Sequence, residues 1–106
     1  MIEIWVHKDG GNTKYYRVEG HAGWAESGKD IVCAAVSALA IGAENGLSEV
    51  AGAVQESSGE GGFLEVILKP ELGDKARIQA EAIIDAMVLA LARISERYPG
   101  RIVIHK

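Results

Sequence analysis

The hydrophobic periodicity of this chain predicts an α+β fold: a two-layer sandwich of ββαββαβ order, with two helices on one face of a largely antiparallel sheet. Three observations carry that prediction. Short segments of period two occur in two pairs joined by turn residues, two long stretches repeat near 3.6 residues, and a last extended segment follows a Pro-Gly break. With 106 residues, 48% of them hydrophobic and 25% charged, the chain has the size and composition of a single domain, 1–106.

The first strand rests on Ile2, Ile4 and Val6, which share one face while Glu3, Trp5 and His7 take the other. Asp9-Gly10-Gly11-Asn12 supplies a turn, and Thr13 to Gly20 returns as the second strand, with Tyr16 and Val18 alternating against Tyr15, Arg17 and Glu19. A loop follows from Ala22 to Lys29. The pattern Ser27-x-x-Asp30, of the capping-box type, predicts that the first helix opens near Asp30 and runs to about Glu49. Val32, Ala35, Val36, Leu39, Ala43, Leu47 and Val50 form its expected inner stripe, yet Ile31, Ala34, Ala38 and Ile41 make the opposite side apolar as well. That second side calls for a cover, from other parts of the chain or from a second subunit.

Ala51 to Glu56 and Phe63 to Lys69 predict a second hairpin joined by the polar stretch Ser57 to Gly62, and Pro70 ends it. The second helix opens at Gly73 or Asp74. Its inner stripe is Ala80, Ile84, Met87, Val88, Leu91, Ile94 and Tyr98, with Glu81, Asp85, Arg93 and Glu96 outward; Pro99-Gly100 stops it before a last strand from Arg101 to His105.

Composition narrows the function classes. The net charge is -4, with 11 Lys and Arg against 15 Asp and Glu, which argues against bare nucleic acid as the direct partner and still allows contact with a basic protein or peptide. The N-terminus alternates instead of opening on a charged start and an apolar run, so no signal peptide is expected. The apolar segment from Ile31 to Ala43 is shorter than the ~20 residues that cross a bilayer, so no membrane partner is expected. Cys33 is the only cysteine, so no internal disulfide can form, and an unpaired thiol points to the cytoplasm. One cysteine and three scattered histidines lack the spacing of a metal site, and Gly59-Glu60-Gly61-Gly62 lacks the register of a nucleotide cradle, so neither metal nor cofactor is expected.

The chemistry-bearing residues gather between Gly20 and Ser37. Cys33 falls in the first turn of the first helix, where unpaired N–H groups and the helix dipole favour negative charge, as suits a nucleophilic sulfur. On the helical wheel it sits at the edge of the inner stripe beside Ser37 and Glu44, a position equally open to an inert, buried cysteine. His21 ends the second strand, one loop away from Cys33, and an imidazole there serves as a proton acceptor and donor or as an ordinary surface residue. Together they fit acyl transfer by a cysteine nucleophile, with N–H groups at the helix start as oxyanion donors. Gly23 and Gly28 flank the loop as hinges of a flap over a peptide, or as plain turn residues. Asp30 caps the helix or orients His21; Ser37, one turn beyond Cys33, faces the same site or bonds back to the helix.

The run Gly20-His21-Ala22, then Gly28 and Asp30-Ile31-Val32-Cys33-Ala34-Ala35-Val36-Ser37, resembles the signature of the ribosomal-processing cysteine protease family, Prp. The resemblance implies a bacterial cytoplasmic endopeptidase that removes a short N-terminal extension from a basic large-subunit ribosomal protein, number twenty-seven. It implies His21 as general base, Cys33 as nucleophile, and Asp30 and Ser37 in support. It also implies a homodimer, which would cover the second apolar side of the first helix. Two other classes stay open: a non-catalytic ribosome-associated binding module, and a thiol redox sensor with no resolving cysteine of its own.

Overall fold

Alternation at the N-terminus turns Ile2, Ile4 and Val6 into the core, and in the computed structural model, which describes residues 1–105, that segment is strand β1 (Ile2–Asp9). Gly10 and Gly11, both at positive φ, make the tight turn into β2 (Asn12–Gly20). The remaining elements are α1 (Ile31–Glu49), β3 (Val54–Glu60), β4 (Phe63–Leu68), α2 (Asp74–Arg97) and β5 (Ile102–His105). The predicted ββαββαβ order is therefore the observed one. The sheet order is β3-β4-β2-β1-β5, antiparallel throughout except for the parallel pair β1 and β5.

Register aligns the inward residues of neighbouring strands: Ile4 lies opposite Val18, Val18 opposite Leu64, Tyr16 opposite Val66, and Ile2 opposite Ile102. Against that face pack Val32, Val36, Ala40, Ala43 and Leu47 of α1 and Ala80, Ile84, Met87 and Leu91 of α2, in one continuous core. Tyr16, fully buried, donates its hydroxyl to the Ala40 carbonyl at 2.8 Å and so fastens α1 to the sheet. A bulge between the β1 and β2 partners leaves Lys14 unpaired and turns Thr13 inward, where its N–H and hydroxyl both donate to the Glu81 carboxylate at 2.9 and 2.8 Å. Glu81 thus departs from the outward role its wheel position predicts.

Three more expectations need correcting. Asp30 is itself the N-cap of α1, and Ser27 lies back in the loop, because the positive φ of Gly28 redirects the chain before the helix begins. Val50 is 64% exposed rather than inward; it caps the C-terminus of α1, and Ala40 takes the place in the inner stripe. The second hairpin is displaced: Ser57 to Glu60 is strand rather than connection, and Gly61-Gly62 alone makes the turn. An edge strand needs only backbone pairing, so polar side chains do not keep β3 out of the sheet. Ala51 and Ala53 instead dock the end of α1, with Ala53 N–H donating to the Leu47 carbonyl at 2.8 Å.

α1 is as long and apolar as a membrane-crossing helix, but its apolar residues are divided between two sides. One lies on the sheet. The other, with Ile31 57% and Ile41 48% exposed and Ala34 and Ala38 between them, is open.

Candidate active site

The end of β2, the start of α1 and the β3–β4 turn meet at one end of the molecule, and the residues singled out in the sequence meet there with them. Cys33 stands at the third position of α1 and is half-buried; Ser37 follows one turn later and Glu44 further along the same helix edge. These three, with His21, Val18, Leu64 and the turn residues Glu60 to Phe63, line a cleft of about 610 Å3 between α1 and the β3–β4 hairpin. His21, Cys33 and Ser37 also line the adjoining depression under the loop that holds Gly23 and Gly28. The helical-wheel spacing that puts Cys33, Ser37 and Glu44 on one edge of a helix was readable in the sequence.

His21 is held through its backbone and through a glycine. Its carbonyl accepts from the Met1 backbone nitrogen at 2.6 Å, and the preceding Gly20 N–H donates to the Gly62 carbonyl at 2.9 Å. The imidazole lies against Gly62 so closely that a Cβ there would stand 2.7 Å from Nε2. Gly20 is equally constrained: at φ +97 it passes the Met1 carbonyl where a Cβ would collide. Gly62 was not among the predicted site residues. Its signal in the sequence was the Gly61-Gly62 turn itself, which carries no hint that the turn folds back onto His21.

Asp30 binds four backbone N–H groups. Oδ1 accepts from Val32 and Cys33 at 3.0 and 2.9 Å; Oδ2 accepts from Trp24 and Ala25 at 2.9 and 3.3 Å. The Cys33 N–H above all, with those of Ala25 and Trp24 and the Cys33 side chain, holds its carboxyl below the usual range against the opposing effect of desolvation. The carboxylate therefore caps the helix and ties down the loop in one contact set. It also consumes the donors expected to hold an oxyanion: the Val32 and Cys33 N–H groups go to Oδ1, and that of Ala34 to the Asp30 carbonyl.

The loop has further anchors. Arg101 donates to the carbonyls of Ala22 and Gly23 at 3.3 and 2.8 Å and lies over the Trp24 ring, while Trp24 meets Tyr98 edge to face at 5.0 Å. Gly23 and Gly28 both adopt positive φ, the conformation a turn requires of them. Beside the thiol, the Ala22 N–H donates to Cys33 Sγ at 3.2 Å. Neither Arg101 nor the Ala22 amide stood out in the sequence, because one is an isolated cation 79 residues from its partner and the other is main chain. His7 and His105 face away from this cleft, on the open side of the sheet, where they stack on Tyr15 and Trp5.

An open cleft with a half-buried thiol at a helix N-terminus and an imidazole on its wall suits nucleophilic attack on an extended chain. The comparisons with known proteins agree with that chemistry. The ribosomal processing cysteine protease Prp of Bacillus subtilis (strain 168) is 33% identical over 85 residues, which make up 78% of this chain and 76% of that protein. A crystal structure of the essential ribosomal processing protease Prp from S. aureus with a covalently linked product peptide superposes with a TM-score of 0.85 at 27% identity, covering 99% of this chain and 98% of that one. The same S. aureus protease with a substrate peptide gives a TM-score of 0.79 at 25% identity, over 99% and 98% of the two chains. The family model for cysteine protease Prp matches residues 1–103, and on that match the chain belongs to the Prp family of cysteine proteases.

Proposed function

We propose that this protein is a cytoplasmic endopeptidase that removes the N-terminal extension of large-subunit ribosomal protein twenty-seven during bacterial ribosome assembly, with Cys33 as nucleophile and His21 as general base. The observation that carries this reading is the convergence of Cys33 and His21, one loop apart in sequence, on a single open cleft. The peptides in the S. aureus structures support an extended chain as the occupant.

In this mechanism His21 takes the thiol proton, and Cys33 Sγ attacks the scissile carbonyl carbon. The tetrahedral intermediate collapses as His21 protonates the leaving amine, and water activated by the same imidazole then hydrolyses the thioester. Asp30 supports the site by fixing the start of α1 and the loop, since its carboxylate is fully engaged by backbone N–H groups. Ser37 supports it from the cleft wall. The net charge of -4 favours the approach of a basic substrate protein. The open apolar side of α1 supports a homodimer.

The test is a peptide spanning the extension junction, incubated with the native protein, Cys33→Ala and His21→Ala, with products read by mass spectrometry. A single cut by the native protein is expected, none by Cys33→Ala, and a rate lower by about 10²–10⁴ for His21→Ala. Intact peptide in every sample, with the protein folded and reduced, would overturn the endopeptidase reading in favour of a binding module.

A further inference from the structure

Attack by Cys33 places negative charge on the former carbonyl oxygen, and a donor must meet it there. Three first-turn N–H groups of α1 are taken up by Asp30: those of Val32 and Cys33 by its carboxylate and that of Ala34 by its carbonyl. One other main-chain donor points at the reacting atom. The Ala22 N–H lies 3.2 Å from Cys33 Sγ, on a residue that is itself buried. The oxygen of an attacked carbonyl lies two bonds from the sulfur, within reach of the same N–H.

We propose that the Ala22 backbone N–H is the oxyanion donor of this enzyme, and that Arg101 is the positioning residue that holds it. The inference rests on the cysteine endopeptidase reading and adds to it a role for a residue at the far end of the chain. As the carbon–sulfur bond forms, the carbonyl π pair moves onto oxygen, and the Ala22 N–H transfers its hydrogen bond from sulfur to that oxygen. When the intermediate collapses the pair returns, the carbon–nitrogen bond breaks, and the amine leaves with the proton from His21.

Three contacts keep the donor aimed. The peptide plane that carries the Ala22 N–H has its carbonyl, that of His21, fixed by the Met1 nitrogen at 2.6 Å. The next two carbonyls, of Ala22 and Gly23, are both held by Nη1 of Arg101. The guanidinium is in turn stacked over Trp24, 5.5 Å from the ring centroid, and Trp24 rests on Tyr98. Arg101 immediately precedes β5, and its own carbonyl accepts from the Ile2 N–H at 2.9 Å, so the anchor belongs to the sheet and not to the loop. Preorganisation of this kind gives an oxyanion donor its effect, because no reorganisation is needed at the moment of reaction.

The experiment separates carbonyl chemistry from thiol reactivity. Acylation of Cys33 by p-nitrophenyl acetate generates an oxyanion; alkylation by iodoacetamide does not. Arg101→Met is expected to slow acylation by at least about ten-fold, against the ~10²–10³ for outright loss of an oxyanion donor, with a clearly smaller change in alkylation, which feels only the loosened Ala22 N–H bond to sulfur. Arg101→Lys, which still donates to a carbonyl, is expected to recover most of the rate. A protein assembled by ligation with L-lactic acid in place of Ala22, which exchanges the N–H for oxygen, is expected to show the larger loss. Equal falls in acylation and alkylation, or no fall in either, would overturn the proposal. Because both reagents are indifferent to peptide sequence, their ratio decides this point even if the junction peptide is not cut, an outcome that would count against the endopeptidase reading alone.

Discussion

A single methyl group at residue 62 tests how His21 is held. Gly62 sits at φ +79, and its Cβ would stand 2.7 Å from Nε2 of His21. Gly62→Ala is therefore expected to push the imidazole off the β3–β4 turn and lower cleavage of the junction peptide by an order of magnitude or more. The strained φ adds a stability loss of about 1–2 kcal/mol, read as a fall in the urea midpoint. Gly61→Ala is the control: it meets nothing within 4 Å and is expected to keep near-native activity. A purely structural role gives a different signature at Tyr16, whose buried hydroxyl bonds the Ala40 carbonyl. Tyr16→Phe is expected to cost about 1 kcal/mol in denaturant unfolding and to leave cleavage unchanged.

At the scale of elements, the start of α1 couples stability to pH through Asp30. Its carboxyl titrates below the usual range in the folded protein, chiefly through the Cys33 N–H. The bound proton therefore favours the unfolded chain, whose carboxyl titrates near ~3.9. The stabilisation is complete above that value and is lost as pH falls through the lower folded one. The gap in urea midpoint between the native protein and Asp30→Asn is thus expected to be full near neutral pH and to close progressively below about pH 4. This helix start was legible in the sequence, because caps are local: Asp30, Val32 and Cys33 are neighbours whatever the rest of the chain does. The strands Ile2–Asp9 and Asn12–Gly20 were legible for the same reason, through alternation and a Gly-Gly turn. β3 was legible as a strand but not in its bounds, since Ser57-Ser58-Gly59-Glu60 carries no apolar alternation and its strand character comes from pairing with β4. The inward turn of Glu81 was also hidden, because it answers a bulge at Lys14 that only the pairing of β1 with β2 creates. At the site, the Cys33 and His21 positions could be read from their motif, but Gly62 reaches it from the β3–β4 turn and Arg101 from just before β5, the latter 79 residues from Ala22, and no local pattern records that.

At the scale of the whole molecule, the question is what covers α1. A helix that packs Val32, Val36, Ala40, Ala43 and Leu47 on the sheet has used one side, and this one leaves Ile31, Ala34, Ala38 and Ile41 facing outward. Small residues between two isoleucines let a second helix approach closely, and a second copy of the same surface is complementary to it by two-fold symmetry. Ile31, Ala34 and Ile41 also border the cleft and the depression beside it, so substitutions there would confound assembly with catalysis. Ala38 borders neither and is exposed, which makes Ala38→Glu the discriminating variant. Sedimentation velocity is expected to give twice the chain mass of 11.3 kDa for the native protein and the single-chain mass for Ala38→Glu. Two carboxylates facing each other across the axis would have to be buried unpaired, at a cost of several kcal/mol that an interface of this kind does not offset. Iodoacetamide alkylation of Cys33 should continue in the monomer, since the Ala22 N–H at its thiol and the Asp30 carboxylate at its backbone N–H both come from the same chain. A single-chain mass for the native protein across the micromolar range would refute the dimer and leave the open side of α1 to another partner.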